Sequence, residues 1–321
     1  MKATYVFWSE RENDRIMTDY TAITGILSML YWRKFNGSIK LIVDKNSYEF
    51  LEKSNILDLG LIDEIDTTLL TSDKAKLVRY KDCHWTWANI FTINNLEDTN
   101  TVLIDWDNIY KQRFNPERGI DLTYAHREDV VYPFYPHPKL HIPNFVHSQY
   151  AKFNWDVLDY AFNASFLHFN NLEYAQEYSK YAMDYITDKN QQVRKNYDYM
   201  NVRTDFVDQL LLAAVGEKYF TKPVFTDIYP PTGSDLDPWR TNIDEKSNYN
   251  TDLMEHLWVK KIVVHNFREV YQSYMRRKLD DLRWNFYPYY EKVLDILWRL
   301  HKIQLTKDIE HTFYGDYIKY N

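Results

Sequence analysis

The 321-residue chain holds only 7 glycines against 17% aromatic residues and carries a formal net charge of -7. So few glycines exclude a collagen-like or glycine-rich disordered polymer and leave little room for a glycine-rich phosphate loop, while the aromatic surplus marks a folded chain with a sizeable core. The acidic balance supplies no global attraction to nucleic acid or anionic lipid.

In chain order, Thr4-Tyr5-Val6-Phe7-Trp8-Ser9 is a β-branched and aromatic run that predicts a buried first strand. Ile16, Tyr20, Ile23, Ile26, Leu27 and Leu30 recur at helical spacing and predict a helix over 16–32, closed by a turn at Asn36-Gly37. Ile39 to Asp44 predicts a second strand ending on an acid, Ser47 to Leu57 a helix, and Ile62 to Asp66 a third strand. Trp85 to Leu96 reads as a helix, and Thr101-Val102-Leu103-Ile104-Asp105 is the clearest strand in the chain. Strands alternating with helices predict an α/β fold with a mainly parallel sheet flanked by helices.

Residues 111–150 change character. Pro116, Pro133, Pro136, Pro138 and Pro143 predict a long connection with little regular structure. Beyond it, Ala161 to Phe169 reads as one strand, and Leu172 to Thr187 and Thr204 to Val215 as helices. Thr226 to Asn250 is irregular, and the chain from Asn266 to His301 is helical with a break expected at Pro288. No composition shift marks a boundary, so one α/β domain over residues 1–265 with a helical C-terminal extension over 266–321 is the expected organisation.

The single cysteine, Cys83, suits a reducing compartment. No N-terminal run resembles a signal peptide, and no stretch reaches the roughly 18 apolar residues of a membrane span. Without a secretion signal, the sequons at Asn36-Gly37-Ser38 and Asn163-Ala164-Ser165 are chance, and a soluble cytoplasmic protein is expected.

The most informative tripeptide is Asp105-Trp106-Asp107, directly after the apolar strand. Ligands of open α/β sheets bind beyond the carboxyl ends of strands. Paired carboxylates there suit Mg²⁺ or Mn²⁺, hard cations that keep positions open for phosphate oxygens. Taken alone, the tripeptide reads more often as a loop carrying two solvated acids; the apolar strand before it brings the two readings level.

In that position Asp105-Trp106-Asp107 resembles the D-x-D motif of the GT-A fold (Rossmann-like) glycosyltransferases of bacterial and phage type, distantly similar to glycogenin-like transferases. Further segments follow in that family's order. Tyr5-Val6-Phe7-Trp8-Ser9 resembles its first strand, and Val43-Asp44 the second, whose terminal acid meets the base or ribose. Trp85-Thr86-Trp87-Ala88-Asn89-Ile90-Phe91 resembles the helix before the D-x-D strand, with Asn89 where a basic residue is common. Asn163-Ala164-Ser165 resembles the Asn-Ala-Gly segment of the acceptor side, with Ser165 in place of glycine, and Asp208-Gln209 resembles an acid-Gln pair farther along. His256-Leu257-Trp258-Val259-Lys260-Lys261 resembles the H-x-x-G-x-K segment, with Val259 in place of glycine.

The resemblance implies a metal-dependent transfer of a sugar from a nucleotide-diphosphate sugar, a UDP-sugar above all, to a hydroxyl acceptor such as a glycan. It implies that Asp105, Asp107 and His256 hold Mn²⁺ or Mg²⁺. Trp8, Ser9, Asp44, Asn89, Asp105, Trp106 and Lys261 would line the donor nucleotide, and Asn163 and Ser165 the acceptor or sugar side. Asp208 and Gln209 would be the catalytic residues, Asp208 for base or donor-sugar contact and Gln209 hydrogen-bonding the sugar. Two other functions stay open: a non-catalytic glycosyltransferase-like binding or scaffold protein, and a phage-type transferase acting on modified DNA.

Remaining features carry less. His137, His141 and His147 lack the spacing of a closed zinc site. Arg276-Arg277-Lys278, followed by Asp280 and Asp281, reads as a solvated helix face, or else as a surface for a polyanionic acceptor such as nucleic acid. Tyr271, Tyr274, Trp284, Phe286, Tyr287, Tyr289 and Tyr290 read as core or as a homo-oligomer interface through the C-terminal helices, with base or sugar stacking as the sharper alternative. Neither G-x-S-x-G nor G-x-G-x-x-G occurs, and Cys83 beside His84 is poorly placed as a nucleophile–base pair.

Overall fold

A computed structural model describes residues 1–8, 17–78, 86–130, 135, 137–140, 142, 144–187, 206–226, 228–229, 252–257, 264 and 268–306. The elements begin β1 (Lys2–Phe7), α1 (Asp19–Phe35), β2 (Ile39–Val43), α2 (Lys45–Lys53), β3 (Glu64–Asp66), α3 (Asp73–Val78), α4 (Trp87–Asn94) and β4 (Thr101–Ile104). Next come β5 (Asn108–Tyr110), β6 (Leu122–Tyr124), β7 (Arg127–Asp129), β8 (Tyr160–Phe162), β9 (Phe166–Phe169) and α5 (Leu172–Thr187). A π-helical turn (Phe206–Leu210) runs into α6 (Leu211–Gly216), followed by β10 (Thr221–Pro223), β11 (Ile228–Tyr229), β12 (Met254–His256), α7 (Arg268–Asn285) and α8 (Tyr287–Thr306). The expected class holds: a mainly parallel central sheet flanked by helices, with a helical C-terminus.

The chain divides into two compact units, one of residues 1–68, 104–114 and 241–321, the other of residues 69–103 and 115–240. In the first unit β1, β2 and β3 are parallel neighbours, with Tyr5 opposite Leu41 and Leu41 opposite Ile65. A two-stranded antiparallel ladder pairs β12 with β5, setting His256 opposite Asn108. Helix α1 is buried on nearly every side, from Tyr20 to Trp32, which fits its apolar sequence and marks it as a core helix rather than an amphipathic one. Its N-terminus is capped by Thr18, whose side chain accepts from Thr21 N.

In the second unit β10 runs parallel to β6, and β6 antiparallel to β9. A smaller sheet sets β11 parallel to β7 and β7 antiparallel to β8. Close approach to α6 is set by Gly216, where an added Cβ would lie 2.5 Å from the Tyr174 hydroxyl oxygen.

Three expectations are corrected. The single strand foreseen over 161–169 is two, because Asn163 Oδ1 accepts from Ser165 N at 3.1 Å and turns the chain. Residues 111–150, foreseen as irregular, contain β6 and β7; at three residues each, and with Arg127-Glu128-Asp129 wholly charged, neither gives a readable alternation. The break in the C-terminal helical stretch falls at Phe286 rather than Pro288, since a proline fits the first turn of α8, where its missing N–H has no helical acceptor.

Candidate functional site

Within the first unit, the chain passes from Ile104 through the turn Asp105-Trp106-Asp107, closed by Asn108 N donating to Asp105 O at 3.0 Å, and enters β5. Asp107 and His256 are each 3% exposed, and Asp107 Oδ2 lies 3.6 Å from His256 Nε2. The β12–β5 ladder makes this meeting, and Leu257 N donates to Asp107 O at 2.8 Å at its end. Beneath the turn, Ser28 Oγ of α1 donates to Asn108 O at 2.5 Å and stands 2.7 Å from the Tyr5 hydroxyl.

Trp106 is 7% exposed, packed edge-on against Tyr5 at 5.9 Å and tilted against Phe7 at 5.5 Å. Its indole presses on Gly25 of α1, where an added Cβ would lie 2.3 Å from Cε3. This ring is held in the core rather than offered as a stacking platform. Asp44 is likewise fully buried as the N-cap of α2, its Oδ1 accepting from Ser47 N at 2.7 Å. Trp8 is buried, and Asp105 half-buried.

A carboxylate beside an imidazole suits Mn²⁺ better than Mg²⁺, which prefers oxygen ligands throughout, so the Asp107–His256 pair fits a divalent ion in its chemistry. Among the described residues no group of three or more His, Cys, Asp or Glu side chains is arranged to hold a metal, so Asp105 does not join the pair in such a group.

Beside His256, Glu255 faces a cluster of cations. Lys278 Nζ of α7 lies 2.5 Å away, Lys111 Nζ 3.3 Å and an Arg277 guanidinium nitrogen 3.6 Å. Burial alone would raise the Glu255 carboxyl, but the cations together, led by Lys278, outweigh it and hold the group well below the usual carboxylate range. Burial pushes the Lys278 ammonium down to about 8 against the attraction of Glu255. The face expected to be solvated is therefore partly internal: Lys278 is 1% exposed, while Arg276 and Arg277 are exposed. The aromatics of α7 and α8 divide too, with Tyr271, Tyr274, Phe286 and Tyr290 buried and Trp284 81% exposed.

Within the second unit, two residues singled out in the sequence come together through two that were not. Glu128 Oε1 accepts from Asn163 Nδ2 at 2.6 Å, and its Oε2 accepts from the Tyr135 hydroxyl, which also reaches Gln209 Oε1. His126 Nε2 stands 3.4 Å from Glu128 Oε1, and both residues are buried. His126 and Glu128, two apart on an extended segment, share a face, the one signal in the sequence for this cluster. Asp208 lies on the π-helical turn, where its backbone carbonyl accepts from the Tyr178 hydroxyl at 3.3 Å; such turns are frequent at functional sites. Asn89 is half-buried on α4, and Ser165 is buried. Ser9, Trp258 and Lys261 lie outside the described residues, as do Cys83 and His141.

No family model matches the chain, and no curated protein matches it. Among solved structures it is similar to the glycosyltransferase GlyE of Streptococcus pneumoniae TIGR4, with a TM-score of 0.42 and 14% identity over 85% of this chain and 59% of that one. It is similar to mouse xyloside xylosyltransferase 1 in its apo form, with a TM-score of 0.37 and 13% identity over 70% of this chain and 85% of that one. A third likeness is to the PaToxG glycosyltransferase, with a TM-score of 0.37 and 10% identity over 66% of this chain and 67% of that one. Among the described residues no helix is long and apolar enough to cross a membrane.

Proposed function

We propose that the chain is a metal-dependent glycosyltransferase that moves a sugar from a nucleotide-diphosphate sugar to a hydroxyl acceptor. The observation that carries this is the meeting of Asp107 and His256 at 3.6 Å, directly beyond the buried strand β4. A carboxylate and an imidazole from segments about 150 residues apart would serve as a ligand pair, and their place after β4 in the chain supports this because α/β sheets bind ligands beyond strand ends. Asp107 and His256 would hold Mn²⁺ or Mg²⁺, with Asp105 directed to the ribose. A bound divalent ion there supplies neutralisation of the leaving diphosphate.

The chain's own residues do the rest. The Ser28–Asn108 and Leu257–Asp107 backbone links fix the turn so that Asp107 keeps its orientation. The low exposure of Asp107 and His256 keeps water from competing for the same ligands. In the second unit, the Asn163 and Gln209 amides are both tied to the Glu128–Tyr135 pair.

A panel of UDP- and GDP-sugars incubated with Mn²⁺, with sugar release followed by chromatography, tests the proposal. Sugar release that disappears in Asp107→Ala supports it. Absence of release from every donor, with nucleotide still bound, would instead establish a non-catalytic binding protein. That second possibility is favoured by the structural employment of Asp44 as a helix cap and Trp106 as core packing.

A further inference from the structure

We infer that Lys278 is a positioning residue for His256, acting through Glu255; the inference rests on the Asp107–His256 pair being the metal site proposed above. Glu255 and His256 are adjacent on the three-residue strand β12. Among the described residues strand β12 has one ladder partner, β5, and that ladder sets His256 against the D-x-D turn. A three-residue ladder is a weak hold on its own, so the side chains that anchor β12 decide how firmly the imidazole is placed.

The anchor is the Lys278–Glu255 pair at 2.5 Å, both members buried. A buried ion pair is costly to assemble and is best attested where it fixes register. Here it fixes β12 against α7. Helix α7 is itself tied to α1, since Tyr274 and Thr24 hydroxyls meet at 2.6 Å and the Tyr31 hydroxyl donates to Asp281 at 2.6 Å. Helix α1 in turn supports the other half of the site through Ser28 and Gly25. Asp107 and His256 are thus held from the same helix pair, one through α1 and one through α7. Outer groups that orient metal ligands typically influence affinity by about 10–100-fold.

The test compares Mn²⁺ affinity, read by electron paramagnetic resonance on the full chain, in the wild type, Lys278→Met, Glu255→Met/Lys278→Met and Leu282→Ala. Leu282 is a buried α7 residue outside the cluster, so its truncation serves as a control of similar instability. The expected result is at least about tenfold weaker Mn²⁺ binding in both Lys278 variants and unchanged affinity in Leu282→Ala. The double variant removes both charges and guards against loss of folding in the single one.

Equal weakening in Leu282→Ala and Lys278→Met, or wild-type affinity in both Lys278 variants, overturns the inference. The ring signals of His256 in ¹³C-histidine-labelled, metal-free protein give a second readout. If the wild type binds no Mn²⁺, the proposed metal site is wrong. The positioning of His256 is then judged on those signals alone, which shift in Lys278→Met if Lys278 places the ring and stay fixed if it does not.

Discussion

The indole of Trp106 lies so close over the backbone of Gly25 that a Cβ there would stand 2.3 Å from Cε3. The middle residue of the D-x-D turn is thereby seated on the core helix of its unit, and the glycine is there for close approach. Gly25→Ala should therefore destabilise the protein by about 1–3 kcal/mol, although alanine favours a helix by about 1 kcal/mol. Urea denaturation measures the loss, and a change in tryptophan fluorescence should accompany it. A variant as stable as the wild type would mean that the ring moves aside freely.

Asp19 opens α1 and is buried, its carboxylate accepting from Tyr20 N at 2.8 Å and from the Tyr271 hydroxyl. Burial raises its pKa to about 6 against those hydrogen bonds. With the folded value above the unfolded one, the native state binds the proton more tightly, so the group's contribution is fully present at low pH and is lost as pH rises through about 6. The lost contribution is of order 3 kcal/mol by neutral pH. Asp19→Asn should gain stability relative to wild type progressively between about pH 4 and 6, measured as paired urea midpoints across that range. A difference independent of pH would show that the carboxyl titrates normally.

Asp44 is held as a helix cap. Asp44→Ala should cost about 1 kcal/mol, and Asp44→Ser should restore most of it, because serine caps as well. Nucleotide affinity of the serine variant, by calorimetry, should match wild type. A selective loss of affinity at unchanged stability would return Asp44 to the ribose or base.

Glu128 receives hydrogen bonds from Asn163 and Tyr135 in a buried setting. Glu128→Ala leaves the buried Asn163 amide N–H without its acceptor, at about 1–3 kcal/mol, while the Tyr135 hydroxyl keeps Gln209 Oε1. The expected outcome is a clear fall in the urea midpoint. Unchanged stability would mean that water replaces the carboxylate.

The fold was legible where apolar runs were long. Strands β1, β2 and β4 and helices α1 and α5 stand where periodicity predicts them, because each buries enough consecutive apolar residues to print a pattern. The three-residue strands β5, β6, β7 and β12 print none, and their existence depends on partners far along the chain. In the site, Asp107 and His256 were recognisable from residue type and order. Glu128, Tyr135 and Glu255 were not, since a buried acid gives itself away only through the cations and amides that surround it in three dimensions. Lys278 was misleading for the same reason: in sequence it belongs to a basic run, and in the fold it points inward to Glu255.

The pairing of Asp107 with His256 is tested most directly by calorimetric titration of Mn²⁺ in the presence of UDP or GDP, on wild type, Asp107→Ala, His256→Ala and the double variant. Binding to wild type, loss in each single variant, and no further loss in the double variant are the predicted results, because two ligands of one ion are not independent. Wild-type affinity in either single variant, or additive losses, would contradict the site.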